Sequence, residues 1–217
     1  MISIFSLLCA CPISAEPGDI AQLTCVEDFG QIQKAILQRT FSTGTTLNQI
    51  AIANAGLLAT WQALQQSSTG TKVVWTNSLG EPTSTPGAAI TFGSGNQVPN
   101  GAPIVRGSEP TAMAFTMYSW TQAIIAQLKA WRCEIASIYL VNQDGQIGGF
   151  IDSQTTPAQF RGIPLVPNTM HVGDKQFGGF GEPDRNALQF SLKPNWSDNF
   201  YVVTPASNFD PLAGIYG

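Results

Sequence analysis

A strand–turn–strand pattern over residues 134–151 strongly constrains what this chain can fold into. Residues 134–142 alternate in the manner of a half-buried strand. Asp144 and Gly145 follow, a dipeptide typical of tight hairpin turns, and residues 146–151 then return as a second strand. Because two-residue turns connect antiparallel strands, the chain is predicted to contain an antiparallel sheet.

Other β-rich stretches recur along the chain, separated by Gly, Pro and Asn residues that favour turns. They cover residues 71–76, 160–166, 187–192 and 200–203, whereas residues 31–39 fit either a strand or a short helix. Together with two amphipathic segments, these stretches predict an α+β fold. We expect a mainly antiparallel β-sandwich or barrel with one or two packed helices.

The first amphipathic segment covers residues 46–66, where apolar residues are spaced three and four apart. Thr46 and Gln49 match the capping-box pattern at its start. Gly56 weakens the middle of this helix, so two pieces that meet near residues 54–56 are the alternative.

The second helix is predicted over residues 120–132, where one face is apolar and Ser119 and Gln122 match the capping-box pattern. We find no internal repeat and no long linker. Residues 46–217 are therefore predicted to form a single β-rich domain, and residues 1–45 an N-terminal arm and irregular segment.

The start of the chain is open to two interpretations. Residues 1–15 are apolar, as in a short secretory or lipoprotein signal in which Cys11 would carry the lipid. No Lys or Arg precedes Lys34, so the basic region of a signal is missing. This favours an ordered apolar arm that packs against the same chain or a neighbouring subunit.

Residues 78–102 are rich in Gly and Pro and are predicted to form a long loop, interrupted by one short strand at residues 88–92. Loops of this length in compact domains usually cover a partner or a neighbour, or else are mobile.

Charged residues make up 11% of the chain, less than half the usual share of about 25%. This composition excludes a coiled coil and a disordered chain. The net charge is −4 and no run of Lys or Arg exists, so we expect no sequence-specific nucleic-acid binding. The apolar N-terminal stretch is too short to cross a bilayer, so no membrane span is expected. A polar, uncharged surface suits the building block of a larger assembly.

Common catalytic and nucleotide-binding motifs are missing from the sequence. The glycines at 93–95 and 178–181 fail the dinucleotide fingerprint, and no phosphate loop or nucleophile elbow occurs. His171 is the only histidine and is most simply a surface or hydrogen-bonded structural residue. A thiol–imidazole pair with Cys25 or Cys133 is the alternative.

Three acids, Asp174, Glu182 and Asp184, surround a glycine-rich segment in which they could bind calcium with loop carbonyls. The calcium-loop pattern is absent, which favours a solvated loop. The four cysteines match no zinc spacing and are predicted to be buried free thiols. We therefore predict a protein that is not an enzyme, with no catalytic, cofactor-binding or metal-binding residue.

The five tryptophans divide into two groups. Trp61 and Trp131 fall on apolar helical faces and are predicted to be core residues. Trp75, Trp120 and Trp196 are candidates for partial exposure, where an interface is favoured over a platform for sugars.

Six stretches of sequence, in this order, carry a resemblance to a known class. TWQALQQ precedes TKVVWTNSLGEP, and ITFGSGNQVPNGAPIVRG leads to a helix that ends in LKAWRCE. The hairpin IYLVNQDGQIGG and the closing segment LQFSLKPNWSDNFYVV follow. This order, over residues 57–210, resembles the virion structural proteins of tailed bacteriophages, in particular tail-tube or tail-ring subunits.

The resemblance implies a β-sandwich or barrel that closes into a ring or tube with identical subunits, contacts other virion proteins and lets DNA pass through a lumen. It implies localisation in the virion, after assembly in the host cytoplasm, and no catalytic residue. Residues 78–102 and 1–24 are then the candidates for contacts between subunits. A secreted or lipid-anchored module that binds a glycan or a protein is the alternative, and a hydrolase with an unrecognised site is a third.

Overall fold

A computed structural model describes residues 28–98, 101–152 and 155–213. Within these residues the chain forms short helices and many antiparallel strands. The α-helices are α1 (Ile52–Ala55), α2 (Leu58–Gln66) and α3 (Gln122–Lys129), and 3-10 helices cover Ala130–Cys133 and Trp196–Asn199. The strands are β1 (Ile32–Arg39), β2 (Phe41–Thr43), β3 (Thr46–Leu47), β4 (Ile50–Ala51), β5 (Val73–Trp75), β6 (Gly80–Thr85), β7 (Ala89–Phe92), β8 (Ile104–Ser108), β9 (Thr111–Tyr118), β10 (Ala136–Asn142), β11 (Ile147–Asp152), β12 (Gln159–Arg161), β13 (Ile163–Pro164), β14 (His171–Val172), β15 (Arg185–Leu192) and β16 (Phe200–Val203).

The larger sheet has eight strands and curls into a half-barrel. Its main order is β4-β12-β11-β10-β1-β5, with β13 also paired to β10 and β16 to β11. The predicted hairpin is confirmed: β10 and β11 pair antiparallel across the turn at Asp144 and Gly145. Gly145 has a φ of +76°, which a residue with a side chain rarely adopts.

A second sheet of four strands, in the order β14-β15-β9-β6, packs on one face of the first. Side chains of β9 and β15 meet side chains of β1 and β10, and α3 closes the same core. This first core contains, among others, Leu37, Phe115, Ile125, Ile138 and Phe190. Two further pairs of strands, β2–β3 and β7–β8, belong to neither sheet.

The opposite face of the larger sheet packs against α1, α2 and the C-terminal stretch around Phe209. Trp61 of α2 is fully buried there, and its ring contacts that of Tyr139 edge to face with centroids 5.1 Å apart. The larger sheet is therefore covered on both faces, and its central strand β10 is buried along its whole length. The predicted α+β class, mainly antiparallel with few helices, is confirmed.

The structure resolves residues 31–39 as a strand and corrects the placement of a boundary at residue 45. Strand β1 lies between β10 and β5 in the larger sheet, so this part of the expected arm belongs to the centre of the domain. Residues 35–38 are buried on both faces, which removes the alternation that would have distinguished strand from helix. Residues 1–27, including the expected apolar arm or signal, lie outside the described residues.

The helix expected over residues 46–66 is wrong in its first half. Residues 46–47 and 50–51 form β3 and β4, and helical structure is confined to α1 and α2, the two-piece alternative. Gly56 lies at the break because the C-terminal stretch runs against it. The Ala206 amide donates to the Gly56 carbonyl at 2.9 Å, and a Cβ at Gly56 would lie 2.9 Å from the Thr204 carbonyl oxygen.

The helix predicted over residues 120–132 is present as α3, which begins at Gln122 and ends at Lys129. A 3-10 turn over Ala130–Cys133 follows it. Neither expected capping box forms. Thr46 lies in a strand, and the residue that caps α3 is Thr121, without a side-chain hydrogen bond. Ser119 instead has a φ of +57° and lies two residues before the cap.

Within the predicted loop at residues 78–102, the short strand expected at residues 88–92 is confirmed as β7, whereas β6 was not predicted. The partners of these two strands, β8 and β9, lie later in the chain. Strand β9 was not among the predicted strands, although it is the centre of the smaller sheet. Its partners are distant in sequence, so local turn signals do not reveal the pairing.

Candidate assembly interface

One two-stranded ribbon projects from the smaller sheet and packs on neither core. The β6–β9 ladder reaches Thr85 opposite Ala112, and the β7–β8 ladder begins at Ala89 opposite Ser108. Pro86 and Pro110 stand between the two ladders. Because proline has no amide proton, each interrupts the hydrogen-bond pattern there. We call residues 86–98 and 101–110 the β7–β8 ribbon.

The β7–β8 ribbon exposes large apolar side chains along its length. Ile90 and Phe92 lie on one face of β7, and Ile104, opposite Phe92, shares that face. Val105 lies on the other face and is 64% exposed. None of the four belongs to either described core cluster. Isolated two-stranded ribbons are marginally stable in water, so these residues need a surface to cover them.

Local contacts give the ribbon a defined shape. The guanidinium of Arg106 lies over the ring of Phe92, 4.6 Å from its centroid. Near the tip, Gly93 has a φ of +77°, and a Cβ there would lie 2.4 Å from Val98. Val98 is buried, so the tip packs on itself. The exposed apolar face is therefore held by the ribbon's own contacts.

A second exposed apolar element is the Gly-rich hairpin, residues 173–185. Gln176 pairs with Arg185 and Gly179 with Glu182, so this segment extends the β14–β15 ladder and turns at its tip. Phe180 lies at that turn and is fully exposed, and Phe177 is 85% exposed. From sequence, only the acids and the glycines of this segment were candidates for a site, although aromatic residues flanked by glycines were the available signal.

The two exposed elements leave the smaller sheet at opposite ends. The β7–β8 ribbon is followed directly by Thr111, the first residue of β9. The Gly-rich hairpin ends at Arg185, which pairs with Tyr118, the last residue of β9. Seven residue steps along a strand span about 24 Å. The molecule therefore presents two different apolar projections, one at each end of the same sheet.

A polar cluster fixes the outer strand of the smaller sheet. Glu81 on β6 has a φ of +49° and accepts a hydrogen bond from the hydroxyl of Thr116 at 2.8 Å. Hydrogen bonds from Thr116 and from Tyr118 lower the pKa of Glu81, and the same bond from Tyr118 raises the pKa of that phenol. The carboxylate thus ties β6 to β9 at a point where their register shifts.

The structure does not assemble the candidate catalytic or metal-binding residues into a site. His171 is exposed on β14, and Cys133 is an exposed free thiol rather than a buried one; Cys25 lies outside the described residues. Asp174 pairs with Lys129 at 3.1 Å and Asp184 with Lys175 at 3.7 Å. Among the described residues, no group of three or more His, Cys, Asp or Glu side chains could hold a metal ion.

The tryptophans are packed to different degrees. Trp61 is buried, as expected, and Trp131 packs partly against the first core. Trp120, a candidate for exposure, is instead buried at 7% exposure. Trp75 and Trp196 are half-buried, and the Trp196 indole donates to the hydroxyl of Thr111 at 3.2 Å, at the base of the ribbon. Among the described residues, the most exposed aromatic rings are therefore Phe92 of the ribbon and Phe177 and Phe180 of the hairpin.

No protein-family model matches the sequence, and no curated protein matches it. In the described part of the chain, no helix has the length and apolar character needed to cross a bilayer.

Proposed function

We propose that this protein is a non-enzymatic structural subunit that assembles with identical copies into a ring or tube, as a tail-tube or tail-connector component of a phage virion. In this proposal the β7–β8 ribbon makes the contact between subunits, DNA passes through the lumen, and other virion proteins bind the assembled ring. The observation that carries the proposal is the ribbon's uncovered apolar surface.

The size of the ribbon's apolar surface supports a contact with another protein. Burying one large aliphatic or aromatic side chain completely is worth about 1.5–3 kcal/mol. The four ribbon residues Ile90, Phe92, Ile104 and Val105 are between 38% and 64% exposed. Covering the exposed half of each therefore contributes about 1 kcal/mol per side chain, or about 4 kcal/mol per copy.

The placement of the two projections supports a ring or tube over a simple two-fold dimer. An isologous dimer needs one self-complementary patch, whereas a ring uses two different patches on each copy. The β7–β8 ribbon and the Gly-rich hairpin are different in sequence and lie at opposite ends of the smaller sheet. Copies arranged head to tail would use both.

The electrostatic character of the chain supports the same proposal. Few charges and many uncharged polar residues suit surfaces that become buried between subunits. A net charge of −4 would repel phosphates, so DNA would slide through a lumen without adhering to it.

The test is the native mass and shape of the purified chain, measured by light scattering and negative-stain imaging over a series of concentrations. We expect closed rings or tubes with a fixed number of copies. A chain that remains monomeric up to high concentration would contradict the proposal.

A further inference from the structure

A groove with a cavity volume of about 330 Å³ runs beside the edge strand β5 of the larger sheet. Val74 of β5 forms one wall, and Trp131, in the 3-10 turn after α3, contributes to another. Arg39, Lys72 and Glu134 also line it. The groove therefore combines an apolar floor with charged groups.

Strand β5 leaves backbone hydrogen-bonding groups free on its outer edge, the side away from β1. It pairs with β1 on one side and is the last strand in the described sheet order. The Thr76 amide donates to the Ala35 carbonyl at 2.9 Å, so these two residues form a hydrogen-bonded pair between β5 and β1. Because such pairs alternate along an antiparallel ladder, Leu37 and Val74 form the next one. The amides and carbonyls of Val73 and Trp75 consequently point away from β1. Open edges of this kind are usually covered, and an added strand is one way to cover them.

The groove is positive. Arg39 and Glu134 form a two-pronged ion pair, with Nη2 and Oε1 2.6 Å apart, and so balance each other. Lys72 is exposed and has no ion-pair partner among the described residues. An apolar segment with carboxylates matches this combination of an edge strand, an apolar wall and a free lysine.

The chain itself contains such a segment. Residues 1–27 include many large apolar side chains and three carboxylates, those of Glu16, Asp19 and Glu27, with no Lys, Arg or His. The described chain begins at Asp28, near the first residue of β1, and the groove lies about 23 Å away at the other end of that strand. Twenty-seven extended residues span up to about 90 Å, so the segment is long enough.

We propose that residues 1–27 dock against this groove and the open edge of β5, with a carboxylate of the segment against Lys72. The docking site is separate from the β7–β8 ribbon and does not depend on the assembly proposal.

A zero-length carbodiimide cross-linker, which joins carboxylates to lysines in contact, tests this in the full chain with peptide mass spectrometry. We expect a cross-link from Lys72 to Glu16 or Asp19, since Glu27 adjoins Asp28 at the far end of β1 and is too distant to reach Lys72. The Lys129–Asp174 ion pair, at 3.1 Å, is the internal control for the reaction. If that control cross-link forms and Lys72 joins neither Glu16 nor Asp19, the proposal is overturned.

A pair of matched variants distinguishes docking from assembly. Val74→Glu places a carboxylate on the groove wall at a side chain that is already 36% exposed, and we expect at least a fivefold loss of the Lys72 cross-link. Val105→Glu changes the ribbon instead and is expected to leave that cross-link unchanged while weakening association. An unchanged cross-link in Val74→Glu would contradict the docking site. Mixing isotope-labelled and unlabelled chains shows whether the segment comes from the same copy or a neighbour, and either origin supports the site.

Discussion

Replacing Phe92 and Ile104 together by serine should weaken association without unfolding the subunit. The two side chains face each other across the β7–β8 ribbon and are 48% and 38% exposed. Covering their exposed halves on assembly contributes about 1 kcal/mol each. The double variant should therefore lose about 2 kcal/mol per contact, which is about a 30-fold lower association constant.

The assay is a light-scattering concentration series for each protein, which gives the concentration at which half of the chain is assembled. Urea unfolding of the monomeric fraction checks that the fold is retained. Because both side chains lie outside the cores, we expect the free energy of unfolding to change by no more than about 1 kcal/mol, including the loss of the Arg106–Phe92 contact.

Leu57→Ser is the matched control, since Leu57 is 43% exposed but lies between α1 and α2, away from the ribbon. Its half-assembly concentration should equal that of the original chain. The reasoning fails if the double variant assembles at the original concentration, or if the control is weakened as much.

Three further outcomes are expected. Burial raises the pKa of the Tyr139 phenol above the unfolded value of about 10. Above pH 10 the unfolded chain therefore releases this proton more readily than the folded chain, and the free energy of unfolding should fall as the pH rises past 10. Tyr139→Phe should flatten this dependence in urea unfolding at pH 9 to 11, and an unchanged slope would contradict it. Gly149→Ala should lower the free energy of unfolding, measured in urea, by about 1–3 kcal/mol, because its Cβ would lie 2.6 Å from the ring of Phe160. Gly107→Ala, with nothing within 4 Å of its Cβ, should lower it less, and equal losses would refute the packing argument. Phe180→Ser should leave the urea midpoint unchanged but lower the association constant in the light-scattering assay, and unaltered association would remove the Gly-rich hairpin from the interface.

The parts of the fold that local sequence determines were predictable. The Asp144–Gly145 hairpin follows from turn chemistry, and β16 over residues 200–203 follows from β-branched and aromatic residues between turn signals. The α+β class was predictable for the same reason, since strand and helix patterns both recur along the chain.

The missed elements depend on contacts between distant segments. In β9, the buried residues Met113, Phe115 and Met117 alternate with small residues, a period of two that was available but lies next to a Gly- and Pro-rich stretch. The apolar spacing over residues 46–66 predicted one helix because residues that form β3 and β4 happened to fall at helical intervals. Within the helical part, the C-terminal stretch packs against Gly56, at the break between α1 and α2.

The sequence indicated which segment of the chain would be the candidate interface, but it did not indicate the strand pairing of that segment. Residues 78–102 were expected to contact a neighbour because of their length, which stays a prediction, but they were expected to be a loop with one short strand at residues 88–92. The exposed apolar face requires the pairing of β7 with β8, which places Phe92 opposite Ile104. Local sequence does not specify that register.

Hydrogen exchange of the β7–β8 ribbon at two concentrations, one below and one above the onset of assembly, tests the central claim most directly. If the ribbon is the contact between subunits, the amides of residues 104–108 should become protected at least tenfold above that concentration, while those of the buried strand β10 should not change. Assembly that increases the native mass and leaves the ribbon amides exchanging at the same rate would contradict the account.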